Sequence, residues 1–439
     1  MPTESLLKKV LIITYYWPPS GGAGVQRWLK FSKYLHGFGW QPIIYTPENP
    51  EAPAQDFTLL QEIPIDIEIV KTPIWEPYEL YKKLVGMKKG EKVNAGFLNE
   101  KKNPGMVEAF STWVRGNFFI PDARKFWIKP SVKYLINYLK NNPVEAIIST
   151  GPPHSMHLIA LGVKNELNIP WLADFRDPWT QIDFYNQLRL TKFADNKHKR
   201  LEKSVLAKAD IVTTVSKNWS KDLEELFPRK IEVVTNGFDP ADFGRNVGEL
   251  DTKFTLTHIG SLNKDRNPNF LWATLKEICI ENKSFEVDLE IKFIGKTDIA
   301  VFEQLEKISL IEKARKIDYM PHKEVIAEAS RSQVLMLLIN NTPNVAGIIP
   351  GKIFEYLASY RPILCIAPPY GDSASIIKES GAGIVVDFND SASLKATILD
   401  FYSKYKTGKL TVSTGSINQF SRRTLTGSIA ELLDSITQK

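Results

Sequence analysis

Cysteine is nearly absent. Cys279 and Cys365 are the two among 439 residues, and each lies inside an apolar stretch. That excludes a disulfide framework and a cysteine-built zinc site, and fits reduced, buried thiols in a cytosolic protein. No run of about 18 apolar residues occurs, so no membrane-spanning helix is expected. The first apolar run, Val10–Ile13, is too short for a secretory signal, and Trp17-Pro18-Pro19 follows it instead of a small-residue cleavage site. The sequence also lacks a Gly-x-Ser-x-Gly elbow, a P-loop and a metal-ligand cluster. With 43% hydrophobic and 24% charged residues, the composition excludes a disordered or collagen-like chain. The length allows two or three domains.

What is present begins with Lys9-Val10-Leu11-Ile12-Ile13-Thr14, a continuous β-branched run that fits a strand covered on both faces. The Gly-rich loop Ser20–Gly24 follows, then a helical pattern through Val25, Trp28, Leu29, Phe31 and Leu35, then the strand Pro42–Tyr45. Similar runs recur at 146–149, 170–173, 209–215 and 230–234. After about residue 245 the pattern restarts, with strands at 254–259, 290–295, 334–339, 362–366 and 383–386. Helices fall between them, one of them over 216–226 with Ser216 as its N-cap. The alternation predicts an α/β protein of two Rossmann-like domains. Apolar residues at 425, 429, 432, 433 and 436 predict a closing amphipathic helix over 420–436.

The net charge of +6 is unevenly spread. Residues 71–129 hold 12 basic and 6 acidic side chains, together with ten aromatic ones from Trp75 to Trp127. Basic residues interleaved with aromatics suit an anionic membrane surface or a lipid-linked substrate; a solvated insertion with its own local core is the other reading. The glycines Gly21 and Gly22 after the first strand would let a ligand approach the backbone, or form a plain strand-to-helix turn. A dinucleotide oxidoreductase is disfavoured. Gly22-Ala23-Gly24-Val25-Gln26-Arg27 lacks the third glycine, and Ile44-Tyr45-Thr46-Pro47 brings no acidic ribose ligand.

Four stretches, in this order and spacing, resemble GT-B glycosyltransferases of family 4, the retaining group 1 glycosyl transferases. They are Tyr16–Gly24, Asp174–Trp179, Asn236-Gly237-Phe238-Asp239 and Pro350-Gly351-Lys352-Ile353-Phe354-Glu355-Tyr356-Leu357. The resemblance covers nearly the whole chain outside the basic–aromatic insertion at about 50–130. It implies two Rossmann-like domains facing a central cleft, with the C-terminal helix crossing back to the first. The expected domains are 1–240 with 418–439 on the acceptor side, and 250–417 on the nucleotide-sugar side.

The resemblance implies transfer of a sugar from a UDP- or GDP-sugar to a lipid-linked cell-surface glycan, with no cofactor and no metal. The partners implied are a nucleotide sugar, a glycan or lipid-linked acceptor and an anionic membrane surface, and no nucleic acid; the place implied is the cytoplasm at the inner membrane. A donor diphosphate needs cations. Lys264 and Arg266, in the loop opened by Gly260, and Lys352, at the start of the helix 352–358, are the candidates, with Gly21 and Gly22 on the other domain. The family's matching glutamate holds ribose hydroxyls, a role carried here to Glu355. The first position of the family's Glu-x7-Glu pattern falls on Gly347, so that glutamate is missing and the backbone of Val345–Ile349 is the expected substitute. His154 and Asp177, at strand ends, are the candidates for acceptor chemistry, alongside Lys352. Two competing readings are a GT-B sugar-nucleotide epimerase and an inactive nucleotide-sugar-binding scaffold.

Overall fold

The computed structural model describes residues 7–52, 54–77, 106–243, 249–318, 320–412, 415 and 417–438. The chain divides into two units, residues 1–235 with 422–439, and residues 236–421.

The described residues of unit 1 form a seven-stranded parallel sheet in the order β3-β2-β1-β4-β5-β6-β7. Its strands are β1 (Lys8–Ile13), β2 (Trp40–Pro47), β3 (Glu68–Thr72), β4 (Ala146–Gly151), β5 (Trp171–Phe175), β6 (Ile211–Thr214) and β7 (Glu232–Val233). Ile12 pairs with Ile44 on one side and Ile148 on the other, so β1 is an interior strand, apolar on both faces because both are covered. Helices α1 (Ala23–Leu35), α2 (Met106–Phe118), α3 (Lys125–Asn141), α4 (Ser155–Leu167), α5 (Lys192–Lys208) and α6 (Lys217–Leu226) connect or cover the strands. Ser216 caps α6, its Oγ accepting from the Trp219 amide at 3.1 Å.

Part of the basic–aromatic stretch is built into this unit. The strand β3 closes the sheet edge against β2. Trp127 on α3 is buried, stacks on Tyr45 at 5.0 Å and donates to Thr72 Oγ1 at 3.0 Å. Trp75, Phe110, Phe118 and Phe126 remain exposed. The lysines Lys82, Lys83, Lys88 and Lys89 lie outside the described residues.

Unit 2 carries a six-stranded parallel sheet among the described residues, in the order β10-β9-β8-β11-β12-β13. Its strands are β8 (Phe254–Ile259), β9 (Leu289–Ile294), β10 (Ala314–Ile317), β11 (Val334–Leu338), β12 (Ile363–Ile366) and β13 (Gly383–Val386). The helices are α7 (Asn269–Glu281), α8 (Lys283–Asp288), α9 (Ile299–Lys307), α10 (His322–Arg331), α11 (Lys352–Ala358), α12 (Asp372–Ser380) and α13 (Ser391–Lys406). Cys279 and Cys365 are buried and free.

The last helix, α14 (Arg422–Thr437), returns to unit 1. Its buried residues Leu425, Ile429 and Leu433 join Val25, Leu29 and Leu35 of α1 in one apolar cluster. In each sheet the strand order reverses once, between β1 and β4 and between β8 and β11. Ligands of open parallel sheets bind outside the carboxyl ends of strands at such reversals.

Candidate functional site

In unit 2 the reversal lies beside Ile259 and Leu338, the last residues of β8 and β11. Gly260 follows at φ 95°, and a Cβ there would come within 3.2 Å of Lys352 Nζ. The positive φ calls for glycine, and a Cβ would press on the end of the lysine side chain. The next turn, Lys264–Arg266, is capped by Asn263, whose side chain accepts from the Arg266 amide at 3.1 Å. Arg266 is aimed by two bonds: its Nε donates to Asn340 Oδ1 at 2.5 Å and an η nitrogen donates to the Ser261 carbonyl at 3.2 Å. Lys264 is exposed.

Lys352 opens α11 and folds back beneath Gly260, where its Nζ donates to the Ile259 carbonyl at 2.5 Å and lies 3.5 Å from His258 Nε2. Burial, then the charge of Arg266, push the Lys352 ammonium down to about 7, with Glu355 acting weakly the other way. Among the described residues, neither Lys352 nor Arg266 forms an ion pair with a carboxylate. Glu355 lies one turn along the same helix, its Oε1 4.0 Å from His322 Nδ1. The site therefore gathers Gly260, Arg266, Lys352 and Glu355, with Lys264 at its solvent side.

Gly347 sits in a tight turn, Val345–Gly347. The amides of Val345, Gly347 and Ile348 already donate to Thr342, Asn344 and Val345 carbonyls. The Ile348 carbonyl accepts from Ser373 Oγ at 2.7 Å. Most of the backbone expected to replace the missing glutamate is thus occupied within its own turn and by α12.

In unit 1, His154 and Asp177 line one cavity of about 330 Å³. Arg115, Arg124, Arg176, Trp179 and Tyr185 also line it. His154 precedes α4 but does not cap it through its side chain. That role falls to Asp122, which accepts from the Ser155 amide at 2.9 Å and from Ser155 Oγ at 2.8 Å. The His154 ring instead lies flat on Trp179, 4.8 Å between centroids, and its Nδ1 has no hydrogen-bond partner. Burial, then the neighbouring His157, hold it well below the usual imidazole range, so it is neutral at physiological pH. Behind it, Trp171 Nε1 donates to Ser149 Oγ at 2.9 Å, and Ser149 Oγ lies 2.8 Å from His157 Nδ1.

Asp177 is held by its neighbour Arg176 at 2.9 and 3.2 Å. That guanidinium fills the space over Gly24, where a Cβ would meet it at 2.4 Å. Trp179 is fixed from the far side, donating through Nε1 to His198 Nδ1 at 3.1 Å. The set of a carboxylate, guanidinium groups and flat aromatic faces can hold a polar, ring-shaped ligand by hydrogen bonding and stacking.

Gly21 and Gly22 lie in unit 1 and do not line that cavity. The Gly21 amide donates to the Ala54 carbonyl at 2.9 Å, and Gly22 caps α1 at φ 99°. The turn reading describes them. Asn340, His258 and Asp122 escaped the sequence reading. Asn340 was findable, since it follows a strand at the point where the sheet order reverses.

Residues 99–242 match the model of Glycosyltransferase Family 4. The chain has the GT-B fold. No curated protein sequence matches it. Among solved structures it is similar to a glycosyltransferase from Rickettsia africae, at 15% identity and TM-score 0.61, covering 99% of each chain. It is also similar to HepE of Anabaena in complex with UDP-glucose, at 12% identity and TM-score 0.59, over 98% of this chain and all of that one. A third is WaaG, a glycosyltransferase involved in lipopolysaccharide biosynthesis, at 13% identity and TM-score 0.56, again over 98% of this chain and all of the other. The family match begins at residue 99, and so takes in the end of the basic–aromatic stretch along with the cavity walls other than Tyr16.

Proposed function

We propose that the chain is a retaining glycosyltransferase that takes a UDP- or GDP-sugar as donor, without a metal, and a lipid-linked cell-surface glycan as acceptor. The observation that carries the donor side is the juxtaposition of Arg266 and Lys352, two basic side chains without a carboxylate partner among the described residues, at the strand-order reversal of unit 2. Cations held side by side repel, and a bound diphosphate removes that cost. As the glycosidic bond breaks, negative charge builds on the departing phosphate, and fixed cations stabilise it most at that moment. Glu355 takes the ribose hydroxyls. In front-face retaining transfer the departing phosphate accepts the acceptor's proton, which asks no nucleophile of the protein.

On the acceptor side, Asp177 orients a hydroxyl and neutral His154 offers its unpartnered Nδ1, with Trp179 as the stacking face. The exposed aromatics extend that reading to a membrane surface. Trp75 and Phe126 meet edge to face at 4.9 Å, and Lys125 Nζ lies 5.0 Å from the Phe126 ring and 5.5 Å from Phe119, a wall of the cavity. Aromatic rings beside lysines suit the headgroup region of an anionic bilayer. No helix among the described residues is long and apolar enough to cross one. The enzyme then works from the cytoplasm, peripheral to the inner membrane.

The deciding experiment is a panel of UDP- and GDP-sugars, read by thermal stabilisation and by slow donor hydrolysis. Stabilisation with hydrolysis supports a transferase. Stabilisation alone returns the inert-scaffold reading, and C2-epimerised product the epimerase.

A further inference from the structure

His258 lies on β8 directly beneath the proposed donor site and is fully buried. Its Nδ1 is 3.3 Å from the Met336 carbonyl on β11. A carbonyl only accepts, so Nδ1 carries the proton and Nε2 presents a lone pair toward Lys352. The Ser261 carbonyl, which accepts from Arg266, also faces the ring. Burial keeps the imidazole neutral, followed by the charges of Lys352 and Arg266, so it remains an acceptor throughout the working range of pH.

The Lys352 nitrogen thus meets two acceptors, the Ile259 carbonyl and His258 Nε2. A neutral amine has two N–H groups and one lone pair, and two acceptors satisfy it. An ammonium has a third N–H that would need a further acceptor. Among the described residues, the charged groups around the amine are Arg266 from the loop after β8 and Glu355 from its own helix, with His322 of α10 beyond Glu355 and Asp242 3.6 Å from His322.

We propose that His258 is a positioning residue for the donor: with the Ile259 carbonyl it holds the Lys352 amine against Gly260, and binding of a sugar nucleotide's diphosphate is completed by a proton taken from solvent onto Lys352 Nζ. The nitrogen lone pair receives the proton, and the new third N–H donates to a diphosphate oxygen. The inference rests on the donor reading above. The low affinity of Lys352 for its proton, about 7 in place of the ordinary lysine value, agrees with it. Two negative charges brought beside the amine would restore its charge.

The test is isothermal titration of the full-length protein with UDP-glucose and GDP-mannose. Their diphosphate diesters do not titrate near neutrality. Each titration is run in phosphate, HEPES and Tris, whose ionisation enthalpies differ. The expected uptake is about half a proton at pH 7, approaching one at pH 8 and falling toward none at pH 6. In Lys352→Met the buffer dependence should vanish while weaker binding persists through Arg266. His258→Leu should raise the donor KM about tenfold with a smaller effect on kcat. His258→Gln, whose amide oxygen can take the place of Nε2, should recover most of that loss. Binding with heat independent of buffer at pH 7 and 8 overturns the inference and leaves the donor site standing. So does unchanged uptake in Lys352→Met, a readout that holds even if the His258 variants fold poorly. Normal donor KM in His258→Leu overturns the positioning role. If neither sugar nucleotide binds at all, the donor assignment fails, and this inference with it.

Discussion

The Arg27 guanidinium grips the Asp174 carboxylate with two bonds, at 3.0 and 2.9 Å, and neither side chain is exposed. Asp174 also accepts from Trp28 Nε1, Thr150 Oγ1 and Thr213 Oγ1. One carboxylate thereby joins α1 to three adjacent strands, β4, β5 and β6. Arg27 further donates to the carbonyls of Val234 and Thr235, the last residues of unit 1 before the chain leaves it. Removing one member of such a pair strands the other as an uncompensated buried charge. Arg27→Met should lower unfolding stability by about 3–5 kcal/mol. Urea titration of purified protein measures it, and a loss below ~1 kcal/mol would show that the pair is not structural.

The same carboxylate predicts an acid limb. Burial alone would raise its pKa, but the Arg27 charge and the bonds from Arg27, Trp28 and Thr213 outweigh that and hold it below the usual carboxylate range. Its contribution is therefore full above the unfolded value near 4 and is lost as pH falls through the lower folded value. Unfolding stability should decline steeply below about pH 4. Arg27→Met should make that limb shallower.

Glu202 predicts a limb of the opposite sign. It is buried on α5, where it accepts from Thr180 Oγ1 at 2.5 Å, and burial raises its pKa to about 7. Between the unfolded value near 4.5 and the folded value near 7, the native state holds a proton that the unfolded state has released. The Glu202 contribution to stability should then fall by roughly 3 kcal/mol as pH rises from 4.5 to 8. Glu202→Gln should flatten that slope. A difference in unfolding stability between wild type and Glu202→Gln that does not change with pH over this range would contradict it.

Donor handling should split between two residues one helical turn apart. Glu355→Ala should abolish thermal stabilisation by UDP- and GDP-sugars, because it removes the ribose contact. Lys352→Ala should lower kcat about 100-fold, with a smaller effect on donor affinity, because its charge matters most as the diphosphate departs. Steady-state kinetics and melting curves together read both, and normal turnover in either variant would remove these residues from the site.

The exposed rings predict a membrane phenotype. Replacing Trp75 and Phe126 by serine should reduce co-sedimentation with phosphatidylglycerol vesicles several-fold, leaving donor hydrolysis unaffected. Reversing Lys82, Lys83, Lys88 and Lys89 should weaken it further. Equal partitioning of wild type and variants would discard the membrane role.

The strands most legible in the sequence were those buried on both faces, such as Val10–Ile13 and Val334–Leu338, because a continuous apolar run is their signature. The edge strands Glu68–Thr72 and Ala314–Ile317 escaped notice because partly exposed edges carry charged residues that break the run. Lys352, Glu355 and Arg266 were found through a motif and a charge requirement. His258 was not, since a lone histidine in an apolar strand looks like core until the opposite strand's carbonyl fixes its tautomer. Asp122 was likewise invisible: it caps a helix that begins 33 residues later in the chain.

The assignment of residues 422–439 to unit 1 bears on how the protein is made. A ribosome releases the whole of 236–421 before it supplies Leu425, Ile429 and Leu433, so the apolar flank of α1 stays uncovered during that interval. The second unit can complete itself first, and the segment translated earliest is among the last to be sealed. A nascent chain stalled before residue 422 should therefore be the form that chaperones and proteases recognise.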